Sequence, residues 1–257
     1  MTSKRLYHLS FGRDDLGAVP LIAAILSGDP ERSRFIAETY LQSNRLLSAN
    51  RGLNSYIGNL ANGRSLLVAT SGMGAPSLSI VVNELVQLGI RQIIRVGTCG
   101  SIQDYVPAGS LVISQAALCR QGAANDIAPV EYPAAADPFL TVALVQAARK
   151  LKVEYHLGIT ASVDTFYEGQ ERVNSANPYL MRSLQGITAE YRRLNILNYE
   201  MECGTLFKMA GVYNFAAACV CAVVAQRMSS EEVLLEQNEG AIENAIAVAI
   251  RAVENSA

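Results

Sequence analysis

Leu21-Ile22-Ala23-Ala24-Ile25-Leu26-Ser27 runs directly into Gly28-Asp29-Pro30-Glu31-Arg32. The first seven residues are an apolar run of strand length. Asp29 is a good helix N-cap and Pro30 suits the first helical position, so a helix is expected through about Leu41. A strand feeding a capped helix is the repeating unit of α/β folds. The alternation continues down the chain. Strands are expected at Ser55–Leu60 and Ser65–Ser71, with Asn62-Gly63 as a hairpin turn signal before the second. Gln92–Val96 reads as a strand ending in a Gly97-Thr98-Cys99-Gly100 turn. Ser110–Ser114, His156–Ser162, Asn195–Glu200 and Phe215–Val224 read as further strands, and Ser77–Leu88, Phe139–Leu151, Glu202–Met209 and Glu236–Val253 as helices. Gly72–Pro76 and Pro133–Pro138 read as loops, and Asp164–Pro178 as polar and irregular. No repeat, low-complexity linker or composition break divides the chain. Residues 1–257 are therefore expected to form a single α/β domain with a central mixed β-sheet flanked by helices.

Composition narrows the function. Half of the 257 residues are apolar, 17% are charged and the formal net charge is -2. With no polybasic run, binding of nucleic acid or anionic membranes through bulk charge is not expected. The longest apolar run, Phe215–Ala225, is far short of the roughly 20 residues that a membrane-spanning helix needs. Lys4, Arg5, Arg13, Asp14 and Asp15 leave no room for a secretory signal, so a cytoplasmic protein is expected. Cys99, Cys119, Cys203, Cys219 and Cys221 are odd in number and form no C-x-x-C pair, which favours buried reduced thiols over redox or metal use. With only His8 and His156 as histidines, and no H-x-x-x-H, no metal site is expected.

Several clusters could carry chemistry. Gly28–Arg32 opens a helix, whose N-terminal N–H groups and dipole attract anions, with Arg32 one turn in. An ordinary capped helix with a surface arginine would look the same. Arg95 lies inside a strand, where a guanidinium costs heavily unless it meets an anion, and Thr98 follows at the strand's carboxyl end. A wet strand edge with a carboxylate partner is the alternative. Taken together, two arginines, two glycine turns and a threonine suggest phosphate. There is no P-loop, and Gly72-Met73-Gly74 lacks the third glycine of a dinucleotide fingerprint. Glu200-Met201-Glu202 offers carboxylates suited to a vicinal diol, or simply an acidic helix start. Gln170 presents an acceptor beside a donor and Arg172 presents donors only, which complements the O2, N3–H, O4 edge of uracil, and Phe166 could stack on the ring.

These stretches resemble the hexameric nucleoside phosphorylase family, and within it the uridine branch. The matching residues are His8, Gly28-Asp29-Pro30-Glu31-Arg32, Gly72-Met73-Gly74-Ala75-Pro76-Ser77, Arg95-Val96-Gly97-Thr98, Ser162–Arg172 and Asn198-Tyr199-Glu200-Met201-Glu202. They follow the family's order from His8 to Arg227. The resemblance implies a phosphate pocket of Gly28, Arg32, Arg95 and Thr98, completed by Arg51 of a neighbouring subunit. It implies a ribose site of Glu202, Met201 and Glu200, with His8 from the neighbour at the 5′-hydroxyl, and a uracil site of Phe166, Gln170 and Arg172 with Arg227 behind. Arg95, Thr98, Gln170, Arg172 and Glu202 would then carry the reaction. It also implies uridine and phosphate as the small-molecule substrates and a homohexamer, a trimer of dimers sharing sites across each dimer.

No cofactor is implied, orthophosphate being a co-substrate. Three positions depart from the bacterial pattern. Cys99 stands in place of a second threonine, and Gln226 in place of an asparagine. Gly52 stands in place of a glutamate that helps hold a monovalent cation, which puts a structural potassium ion in doubt. A purine nucleoside phosphorylase on the same fold would carry an acid just after Phe215–Val224, where this chain has Ala225-Gln226-Arg227-Met228-Ser229. A non-catalytic nucleoside-binding protein would have little use for the full set of arginines and carboxylates.

Overall fold

The computed structural model describes residues 5–17, 23–227 and 239–255. Nine strands are present among them: β1 Ala23–Ser27, β2 Gln42–Ser48, β3 Ser55–Asn59, β4 Ser65–Thr70, β5 Gln92–Ser101, β6 Leu111–Arg120, β7 Tyr155–Val163, β8 Ile196–Glu200 and β9 Ala216–Gln226. The helices are α1 Pro30–Tyr40, α2 Ala75–Gln87, α3 Gly122–Asn125, α4 Pro138–Leu151, α5 Ile187–Arg193, α6 Cys203–Tyr213 and α7 Glu239–Asn255.

All nine strands join one sheet in the order β2-β3-β4-β1-β5-β8-β7-β6-β9, and β9 returns to pair with β5. Strands β5, β8, β7, β6 and β9 therefore close into a ring, and β1, β4, β3 and β2 extend from β5 as an open wing. The sheet is mixed. β5 runs parallel to β1 and β9 but meets β8 antiparallel, at Gly100↔Tyr199 and Ser101↔Asn198.

Successive strand residues feed opposite faces, so both faces of the central strands are apolar. Ala24, Leu26, Ile93, Cys219 and Cys221 pack on one side with Leu78 and Leu85 of α2 and Leu206 and Phe207 of α6. Ala23, Ile25, Ile94, Val220 and Ala222 pack on the other with Ile36 of α1, Leu144 of α4 and Ile246 of α7. Each such leucine or isoleucine contributes roughly 1.5–3 kcal/mol by leaving water. The expected α/β architecture with a central mixed sheet flanked by helices is what this packing produces.

Some elements differ from the sequence reading. β2 was not expected. Its Gln-Ser-Asn-Arg-Leu-Leu-Ser run lies largely exposed at the sheet edge and pairs with β3 through two register shifts, so it carries no burial alternation. The short α5 was not expected either. Ala75 and Pro76, read as loop, are the first residues of α2. Gly97-Thr98-Cys99-Gly100, read as a turn, is continuous strand, because β9 pairs with β5 along its whole length. The start of the expected strand at Leu21 and the start of the expected terminal helix at Glu236 lie outside the described residues.

Candidate active site

One edge of β5 determines where the site forms. β1 pairs with that edge from Gln92 to Arg95, and β8 takes it up again only at Gly100. Between them, Val96 to Cys99 have no ladder partner on that side. A cavity of 540 Å³ opens there, within the usual range for small-molecule sites. Its lining combines Gly28 and Arg32 after β1, Arg95 and Thr98 of β5, Phe166, Gln170 and Arg172 after β7, and Glu200, Met201 and Glu202 at the end of β8. All of the expected phosphate, ribose and base residues except Arg51, His8 and Arg227 thus meet in one cavity.

Arg95 is its electrostatic centre. The residue is only 4% exposed. Its guanidinium forms an ion pair with Glu202 and lies 3.4 Å from a Glu200 oxygen. Burial opposes the charge, but the two carboxylates more than offset it, so the guanidinium is held protonated, with its pKa well above the ordinary arginine value. The side chain folds back over Gly97, where a Cβ would lie 2.7 Å from Cζ. Only glycine two residues on leaves that path open.

Arg32 reaches the same opening from α1, its Nη1 3.4 Å from Ser27 Oγ and 3.5 Å from the Val96 carbonyl. Burial lowers its pKa, and the neighbouring Arg95 charge lowers it further. The two guanidiniums line the same cavity, the Arg95 charge being shared with Glu202 and Glu200. The α1 N-terminus itself is less available than its sequence suggests, since the Asp29 side chain accepts from the Glu31 N–H at 2.9 Å. Gly28 lets the Gly72 carbonyl approach, 3.2 Å from where a Cβ would stand.

The loop after β7 is fixed locally. Glu168–Gln170 forms a 3-10 turn, the Gly169 N–H donates to Thr165 Oγ1 at 2.7 Å, and the Arg172 N–H closes on the Tyr167 carbonyl at 2.8 Å. Glu171 ties the loop to α5 by accepting the Thr188 N–H at 2.8 Å. Gln170 and Arg172 are both buried, and the Arg172 guanidinium stacks 4.2 Å over the Phe166 ring. Arg227 lies 5.2 Å over the Tyr199 ring, beside Gly100, behind the lining. Tyr199 itself lines the cavity, and burial pushes its phenol up to about 12.

His8 and Arg51 stand apart from this cavity. The His8 Nδ1 lies 2.7 Å from Glu84 Oε1, and the ring lines a different hollow formed with α2. Arg51 is exposed, with φ 56°, and its guanidinium lies 5.5 Å over the Tyr7 ring. The Asn50 amide donates to the His8 carbonyl at 2.8 Å, so the two residues share one surface patch.

Among the described residues, Glu200, Cys203 and Cys219 offer ligand atoms within 4.8 Å of one another. Glu200 is already committed to the Glu202 and Cys203 N–H groups at 2.8 and 2.9 Å, and to the Ser162 hydroxyl. Burial pushes the Cys203 thiol up to about 12, so it stays protonated.

Sequence reasoning passed over Gly97 as a seat for Arg95, and over Tyr199, Gln121 and Ser162 as polar groups buried under the site. Spacing could have found Gly97, two residues after a strand arginine. The other three have partners distant in the chain, so no local pattern marks them.

The fold and this cavity place the chain in a known class. The Phosphorylase superfamily model matches residues 22–257, and the chain belongs to that family. It is 38% identical over 252 residues to a uridine phosphorylase of Haemophilus influenzae, covering 97% of each chain. It is 38% identical over 231 residues to a uridine phosphorylase of Salmonella typhimurium, covering 90% of each. A DeoD-type purine nucleoside phosphorylase of Hahella chejuensis is more distant, 32% identical over 233 residues, with 89% of this chain and 91% of that one covered.

Proposed function

We propose that this protein is a uridine phosphorylase, a pentosyltransferase that cleaves uridine with orthophosphate to uracil and ribose 1-phosphate, reversibly. The observation that carries the reading is that a uracil-complementary pair, Gln170 and Arg172, lines the same cavity as two arginines and a carboxylate. Arg32, Arg95 and Thr98 hold phosphate below the sugar, and Met201 and Glu202 hold the ribose. Phosphate is already an anion and needs no strong base, so aligning it with C1′ is mainly positioning catalysis. As the C–N bond breaks, charge builds on uracil. Gln170 and Arg172 stabilise it by about 2.7–4 kcal/mol per donor.

A panel of nucleosides tests this reading. Uridine should be cleaved in the presence of phosphate, and inosine and cytidine should be poor substrates. Cytosine carries an acceptor at N3 and a donor at C4, the reverse of what the pair requires. Equal kcat/KM for inosine and uridine would instead favour a purine nucleoside phosphorylase. Failure to cleave any nucleoside would favour a non-catalytic binding protein.

No cofactor is needed. Gly52 has φ 75° and no carboxylate to offer, and Ser77 Oγ donates to the Ser71 carbonyl at 2.7 Å. A hard cation deprived of its carboxylate is weakly held. Activity should therefore depend little on potassium at fixed ionic strength, and a saturable potassium activation would contradict this. No helix among the described residues is long and apolar enough to cross a membrane. That is compatible with the cytoplasmic location proposed here.

A further inference from the structure

A helix begins with backbone N–H groups that have no partner inside it, and the N-cap side chain usually takes one of them. The N-cap of α6 is Glu202, and its side chain makes no capping bond. Its carboxylate turns away, accepting the Gly74 N–H at 2.6 Å and pairing with Arg95. The orphan donors of α6 are satisfied by three other side chains. Glu200 Oε2 accepts from Glu202 and Cys203 at 2.8 and 2.9 Å, Ser162 Oγ from Gly204 at 2.9 Å, and Gln121 Oε1 from Thr205 at 2.8 Å. The Leu206 N–H, at 3.1 Å from the Glu202 carbonyl, then starts the helical ladder.

The frame is buried and mutually braced. Gln121, 1% exposed, also donates from Nε2 to the Met201 carbonyl at 2.5 Å and accepts the Thr205 hydroxyl at 2.8 Å. Ser162 donates to Glu200 while accepting from Gly204. That approach requires glycine at 204, where a Cβ would lie 2.9 Å from Ser162 Cβ and 2.8 Å from Cys119 Sγ.

We propose that Gln121 and Ser162 are positioning residues, which together with Glu200 form a substitute helix cap that frees the Glu202 carboxylate for the sugar. Glu200 acts in this frame through both oxygens, Oε1 accepting from the Ser162 hydroxyl and Oε2 from the Glu202 and Cys203 N–H groups. If the frame loses a member, an N–H of α6 is orphaned next to the Glu202 carboxylate. The N-cap position lets that carboxylate swing back and satisfy it, which withdraws it from the cavity. The inference rests on the reading of Glu202 as the ribose-binding carboxylate.

The test uses the full-length protein carrying Gln121→Met, Ser162→Ala or Glu202→Gln, each checked for folding by circular dichroism. The readout is kcat and KM for uridine and for 2′-deoxyuridine at saturating phosphate. General loosening of the fold would lower kcat/KM for both nucleosides alike. Withdrawal of Glu202 removes an interaction with the 2′-hydroxyl, so the ratio of the two kcat/KM values should fall. For Gln121→Met a uridine KM raised about tenfold and a ratio reduced about fivefold are expected, with Ser162→Ala changing both in the same direction. A folded Gln121→Met protein with the wild-type KM and ratio would overturn the inference. If Gln121→Met does not fold, Ser162→Ala, which loses a single hydroxyl, decides by the same criterion. Glu202→Gln separates the two levels. An unchanged ratio there means the ribose reading has failed and the inference falls with it. A changed ratio there, with the frame variants at wild-type values, removes the positioning role alone.

Discussion

Replacing Arg95 with alanine should cost the protein both its phosphorolysis and a large part of its stability. The guanidinium is buried between Glu202 and Glu200. Its removal leaves two carboxylates facing each other with no cation, and breaking a buried ion pair in this way typically destabilises by about 3–5 kcal/mol. With Arg95 as the proposed anchor for phosphate, the variant should also lose turnover by about 10²–10³-fold, the usual effect of removing one such donor. Denaturant melts and steady-state kinetics should therefore both respond, with a raised phosphate KM in whatever fraction stays folded. Arg95→Lys keeps the charge but loses the planar fork, so it should recover more stability than activity. An Arg95→Ala protein of normal stability and unchanged phosphate kinetics would show that the pocket lies elsewhere.

The second large effect concerns whether sites are shared between subunits. His8 and Arg51 occupy one surface patch away from the cavity of their own chain, and Arg51 is held in a left-handed conformation that few non-glycine residues adopt. We propose that both serve a neighbouring subunit's site in a homohexamer built as a trimer of dimers. Arg51→Ala and Glu202→Ala proteins should then each be nearly inactive. Co-expressed as mixed oligomers they should regain a substantial part of the activity, because some sites would receive Glu202 from one chain and Arg51 from the other. Verified mixed oligomers with no recovery would mean that each subunit builds its own site.

The site became legible wherever its chemistry is local. Gly28-Asp29-Pro30 signals a strand passing into a capped helix, and Asp29 does cap α1. Gln170 and Arg172 lie in one short polar segment, so their complementarity to a base edge could be read without knowing the fold. The location of Arg95 in a strand was likewise readable. Its partners were not, because Glu200 and Glu202 reach it only through the antiparallel meeting of β8 with β5.

The sequence by itself determined the α/β alternation, the apolar strands buried on both faces and the residues from which the cavity is built. These depend on periodicity, caps and side-chain chemistry, which act over a few residues. Tertiary structure alone decided that β9 closes back on β5, which keeps Gly97–Gly100 in a strand rather than a turn. It also decided that the polar β2 run becomes an edge strand, held by pairing with β3 instead of by burial. The substitute cap of α6 belongs here too, since Gln121, Ser162 and Glu200 come from three different strand ends. The β9 closure and the α6 cap depend on hydrogen bonds between residues far apart in the chain, and the β2 edge on pairing with the next strand, and the burial pattern of the single strand encodes none of them.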